Sequence, residues 1–228
     1  GRRFRFDTEF DSEHGAPWDE EDGHGPVSDW RGQNYAGHVD KTAGELVLHH
    51  DHRSYRLYDF AEACRIARRD GWGFLPGELK TEKLADGSFR AWVKRNPWEK
   101  GDTFESVAPD INAAIRAVYA AHRATMTARQ YAAGAAMANF ERLRAWCEDR
   151  WHYVGVIVTL LDSNDEPTSE TESLWGIESD AGDYFDEVAQ ELAAEILHRV
   201  IAVESVAMAA DIAAARPDLA PVYDGARA

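Results

Sequence analysis

Residues 153–178 read YVGVIVTLLDSNDEPTSETESLWGIE, and this stretch decides the fold class. Tyr153 to Leu161 is an apolar run of strand length without a charge, Asp162 to Pro167 is made of turn formers, and Ser173 to Ile177 returns as a second strand. So short a connection joins antiparallel neighbours, because a parallel pair needs a crossover of a dozen or more residues. From Asp183 to about Ala215 the pattern is helical. A hairpin therefore leads directly into a helix.

The same grammar recurs upstream. Leu46, Val47, Leu48, Tyr55, Leu57 and Tyr58 predict two strands joined near Asp51-His52. Asp59 then caps a helix that opens at Phe60, with Glu62 as the return partner of a capping box and Gly71 as a left-handed stop; Phe60, Ala63, Cys64 and Ala67 share its buried side. Pro76-Gly77 marks a turn, and Asp86-Gly87 reads as a two-residue hairpin. Pro109 opens an Ala-rich helical region that runs to about Asp149, broken near Thr125 to Thr127, where Thr127 and Gln130 form a second capping box. Gly134 inside it implies close packing against another backbone, or a weak spot. Arg3 to Phe6 alternates as a short strand, and residues 11–37 form a long polar loop for which Trp18 and Trp30 are anchors. The order β, ββ, α, ββ, αα, ββ, α predicts an α+β fold, an antiparallel sheet whose hairpins pack against helices, the longest of them Ala-rich. One domain spanning 1–228 is expected, with a mobile N-terminal loop (11–37) and a helical projection (109–150).

Charge supplies the second signal. The 228 residues hold 41 Asp plus Glu against 25 Lys plus Arg, a net of −16. Residues 1–40 carry −6, residues 41–160 carry +3 and residues 161–228 carry −13, and no Lys or Arg occurs between Arg150 and Arg199. Direct nucleic-acid binding is disfavoured, since phosphate contacts draw on Lys and Arg releasing counterions; an anionic membrane surface is disfavoured for the same reason. Cys64 and Cys147 have no C-x-x-C spacing, which argues against a disulfide framework or structural zinc and fits a reducing cytoplasm. The apolar run at 153–161 falls short of the roughly 20 residues of a membrane helix. No signal peptide is visible, although Gly1 suggests an altered start.

Within the last helix, Asp183, Asp186, Glu187, Glu191 and Glu195 recur at helical offsets, while Phe185, Val188, Ala189, Leu192 and Ile196 take the opposite side. One turn of helix advances about 5.4 Å, close to the roughly 6 to 7 Å between successive phosphates of a strand. A solvated face would also be acidic, but it normally interleaves Lys at four-residue spacing for a few tenths of a kcal/mol per pair. This helix forgoes that gain, which points to steering of a basic partner. Trp175, Tyr184 and Phe185 are the aromatic anchors such a surface needs, with Asp180 beside them. Val200, Val203, Ala207 and Ala210 form an apolar seam that serves either the core or a homodimer.

Histidine offers a second constellation. His50 and His52 share a strand face beside Asp51, and His24 lies near Asp22, so Zn²⁺ or Mn²⁺ held by His50 and His52, with His24 or an aspartate completing the shell, is the alternative, a metal-dependent hydrolase using His24, His50 and His52. Two histidines in a turn are more often hydrogen-bonded surface groups. Gly71-Trp72-Gly73 lacks the third glycine of a dinucleotide loop, no phosphate loop or nucleophile elbow occurs, and Pro167 breaks the likeness of 162–166 to a calcium loop. Acidic neighbours disfavour a Cys147 thiolate, and Trp72, Trp92, Trp98, Trp146, Trp151 and Trp175 read most economically as core or interface residues.

Several strings carry a resemblance: EDGHGPVSDW at 21–30, YDFAEAC at 58–64, LRAWC at 143–147 and LWGIESDAGDY at 174–184. Together they resemble a family of uncharacterised tailed-phage and prophage proteins; residues 75–140 and the C-terminal tail match poorly. The resemblance implies a phage accessory protein in a host bacterial cytoplasm. The expectation is a non-enzymatic, cofactor-free acidic protein that inhibits a restriction or CRISPR complex by occupying its basic nucleic-acid-binding surface. A phage assembly factor is the further alternative.

Overall fold

The computed structural model describes residues 2–94 and 104–215, apart from the side chain of Ala213; Trp98 lies outside the described residues. In chain order the elements are β1 (Arg3–Phe10), α1 (Pro17–Glu20), β2 (Arg31–Gly32), β3 (Glu45–Asp51), β4 (Ser54–Asp59), α2 (Phe60–Asp70), β5 (Glu78–Lys83), β6 (Phe89–Lys94), β7 (Glu105–Ala108), α3 (Ile111–Ala124), α4 (Ala128–Cys147), β8 (Tyr153–Leu161), β9 (Pro167–Glu178) and α5 (Tyr184–Ala215). Three antiparallel three-stranded sheets with these helices make an α+β fold. Among the described residues no helix is long and apolar enough to cross a membrane. Where the sequence reads as one domain, the chain forms two compact units: Gly1–His14 with Trp151–Ala228, and Gly15–Arg150.

The first unit is the sheet β1-β8-β9 with α5. Side chains alternate across a strand, so Val154, Val156, Val158 and Leu160 of β8 fall on one face, where they meet Val188, Leu192 and Ile196 of α5. Each such burial contributes roughly 1.5–3 kcal/mol. On the other face Tyr153 is also buried, edge-on to Trp151 at 5.3 Å, and this double covering explains why β8 reads as a continuous apolar run. β1 extends past Phe6 to Phe10, paired in unbroken register with β8, and β9 begins at Pro167, six residues before the predicted strand. Val200 packs on this core, while Val203, Ala207 and Ala210 are exposed.

In the second unit, the sheets β2-β4-β3 and β5-β6-β7 are covered by α2, α3 and α4. Residues 109–150 do not project. Ala114 and Val118 of α3 pack with Ala91 and Val93 of β6, and Ala136, Phe140 and Leu143 of α4 pack with Leu48, Tyr58 and Ala63. Alanine is what permits this close approach. Gly134 carries it further: a Cβ there would come within 2.2 Å of the Phe74 ring, an aromatic rather than a backbone neighbour.

The caps follow the sequence with three adjustments. Asp59 accepts from the Glu62 N–H, but the Glu62 carboxylate turns to Arg65, so no reciprocal box forms. α3 begins at Ile111 with Asp110 as its cap, so Pro109 lies before the helix and not in its first turn. The Asp86-Gly87 hairpin has a three-residue loop, closed by Leu84 N–H to the Ser88 carbonyl and Gly87 N–H to the Leu84 carbonyl. The Thr127 and Gln130 box is present as expected. Trp18 anchors its loop edge-on to Trp146 at 5.2 Å, and the Arg56 guanidinium lies over both Trp18 and Trp30.

Candidate functional site

Charge divides unevenly between the units. The first holds 20 acidic and 6 basic residues, net −14, and the second 21 and 19, net −2. Within the first unit α5 is amphipathic for its initial three turns, with Val188, Leu192 and Ile196 buried and Asp186, Glu187, Glu191 and Glu195 exposed. Asp183, one residue before the helix, is exposed beside them. Among the described residues no cation pairs with any of these five carboxylates. The unit's described arginines are engaged elsewhere: Arg2 with Glu204 at 2.6 Å, Arg3 with Asp165, Arg5 with Asp7 at 2.6 Å, and Arg199 with Glu170 and Glu172 of β9.

The helix N-terminus accounts for part of this stripe, because unsatisfied N–H groups and the macrodipole favour anions in the first turn. That covers Asp183, Asp186 and Glu187. Glu191 and Glu195, two and three turns in, gain nothing from it. Their Cα atoms follow Glu187 at about 6 Å axial steps.

A shallow groove adjoins the stripe, lined by residues 174–178 together with Ala181 and Tyr184. Leu174, Trp175 and Tyr184 are 42%, 45% and 47% exposed, so the groove is one exposed apolar area of this unit; Phe6 and Phe10 of β1 and Ile201, Val203, Val206, Met208 and Ile212 of α5 are others. The groove owes its shape to a β-bulge. Val154 pairs with Ile177 but Val156 pairs with Leu174, so Trp175 and Gly176 both stand against Gly155. Gly176 takes φ +76° there, its N–H donates to Asp11 Oδ2 at 3.1 Å, and the Trp175 indole N–H donates to Ser173 Oγ at 3.1 Å. Asp11 is 8% exposed and its other oxygen accepts from the N–H groups of Glu13 and His14.

Of the residues singled out from the sequence, Asp183, Tyr184, Asp186, Glu187, Glu191, Glu195 and Trp175 thus lie on one unit, and Asp180 is exposed in the turn before α5. Phe185 is withdrawn, half-buried against the sheet core. Sequence reading missed Leu174, Gly176, Ala181 and Asp11. The signal was Trp-Gly inside a strand opposite a lone glycine, since glycine in a strand often marks a bulge.

The histidines do not converge. His24 Nδ1 meets the Asn139 amide at 2.7 Å, within a network in which the Tyr58 hydroxyl donates to Asn139 Oδ1 at 2.9 Å. His50 stacks on Tyr55, while His52 has left the strand for a turn at φ +49°, which breaks the shared face that alternation implied. Among the described residues no three His, Cys, Asp or Glu side chains group to hold a metal. Burial pushes the Cys147 thiol up to about 11, against the nearby Arg56 and with the help of Glu148, and burial also raises Cys64. His122, buried and bonded to the Phe74 carbonyl at 3.0 Å, is a core group that the sequence did not reveal.

No family model matches the chain, and no curated protein or solved structure matches it significantly.

Proposed function

We propose that this protein is a phage-encoded acidic inhibitor that occupies the basic nucleic-acid-binding surface of a host defence complex. The observation that carries this reading is the unrelieved carboxylate face of α5 beside an exposed aromatic groove, in a unit whose described arginines are all committed to other acids. Charge of this kind accelerates association and selects cationic partners, while desolvated aromatic contacts supply the slow dissociation. The phage setting is drawn from the sequence resemblance. Choice between restriction and CRISPR machinery belongs to the partner.

The test is affinity capture from the natural host with wild-type protein and an Asp186→Lys, Glu187→Lys, Glu191→Lys variant. The wild type retains a nucleic-acid-binding complex, releases it as salt rises, and competes with DNA or RNA for it; the folded variant retains none. Equal capture by the variant at low salt, or a captured complex that still binds its nucleic acid, overturns the proposal.

A further inference from the structure

We infer that the groove between Trp175 and Tyr184 seats an arginine side chain of the partner, its guanidinium stacked on the indole of Trp175. This assignment rests on the docking function proposed above and names the group that the site recognises. The indole is preorganised: one face lies on Gly155, where a Cβ would come within 2.3 Å of ring atom Cε3, and Nε1 is tied to Ser173 Oγ. Trp175 as a residue nevertheless remains exposed. Leu174, Ala181 and Tyr184 offer apolar walls to an aliphatic stem, and Asp183 precedes Tyr184 without a cation among the described residues.

Charge complementarity selects the occupant. A neutral apolar side chain would fill the groove but make no use of the acidity of the unit, whose net charge is −14. A cation uses both features, since the indole face attracts positive charge, Glu178 lines the groove and Asp183 adjoins Tyr184 in the chain. Arginine suits it better than lysine: the planar guanidinium stacks on an aromatic ring while its N–H groups reach carboxylates in the ring plane, and it is more weakly hydrated than an ammonium.

The experiment is a two-dimensional NMR titration of the full ¹⁵N-labelled chain. The Trp175 indole N–H is assigned by its loss in Trp175→Phe. The probe is a short acetylated glycine-serine peptide carrying one arginine, with lysine and citrulline versions as controls. Expected is a saturable shift of the Trp175 signal with the arginine peptide, about fivefold weaker affinity with lysine, and none with citrulline. No shift, or equal response to citrulline or lysine, overturns the assignment. Host capture with Trp175→Leu, whose backbone spectrum reports its fold, separates the two claims. Capture that persists in Trp175→Leu but is lost on charge reversal removes the arginine groove alone; capture that survives both removes the docking function as well.

Discussion

The indole of Trp175 lies across the backbone of Gly155, so close that a single added carbon on the glycine would overlap the ring. The bulge that sets two residues of β9 against one of β8 and the absence of a side chain at 155 are one device. Gly155→Val is expected to expel the indole and cost about 1–3 kcal/mol through overpacking. Urea unfolding reads the stability, and the Trp175 indole N–H resonance reads the displaced ring. Unchanged values for both would show that the ring does not depend on this contact.

Asp11 holds the same bulge from β1's end. Its carboxylate accepts three backbone N–H groups, one of them from Gly176. Asp11→Ala leaves those donors without an acceptor and should cost about 2 kcal/mol. Asp11→Asn, with one acceptor oxygen instead of two, should cost less. Hydrogen exchange at the Gly176 amide distinguishes this from a diffuse loss, because that amide should lose protection out of proportion to its neighbours in β9.

What the sequence disclosed follows from how local each signal is. The buried side of α5 was legible because Val188, Leu192 and Ile196 recur at the helical period, and Thr127 with Gln130 announced a cap within four residues. The hairpins were legible from their turn residues. Hidden were features that depend on residues far apart in the chain: Asp11 reaching Gly176, Phe74 requiring a glycine at 134, and the pairing that extends β1 to Phe10. The histidine cluster failed for a local reason. Alternation puts His50 and His52 on one face only if the strand runs through His52, and the left-handed backbone of His52 ends it one residue earlier. The acidic stripe was readable, but the groove beside it was not, since a bulge exists only in the pairing of two strands.

Cys147 should make stability fall in alkali. Its thiol ionises near the ordinary value, about 8.5, in the unfolded chain but near 11 when buried. Between those values the folded state binds the extra proton, so its contribution is complete below the ordinary value and is lost as pH rises towards 11. Cys64 and the buried Tyr58 hydroxyl, both raised chiefly by burial, act with the same sign, Tyr58 at higher pH. Urea midpoints should decline from pH 8 to 10.5, and Cys147→Ala should flatten part of that slope. Alkylation of Cys147 near neutral pH should be about 100-fold slower in the folded chain. Rapid labelling of the folded protein would contradict the burial.

Stability and binding should part company at Glu191. In the wild type it stands four residues from both Glu187 and Glu195, like charges that oppose each other across successive turns. Glu191→Lys converts both repulsions into attractive pairs, and the order Glu187 to Lys is the favourable one on a helix. The variant should therefore be more stable by a few tenths of a kcal/mol per pair, seen as a raised urea midpoint at low salt that converges on wild type as salt screens the charges. If the face is merely solvated, that gain comes without cost to any interaction. If it is a docking surface, the more stable protein should capture its partner less well, with a shallower salt dependence, and association rather than dissociation should slow most. A variant that is both stabler and an undiminished binder would leave the arrangement of carboxylates on α5 without a function.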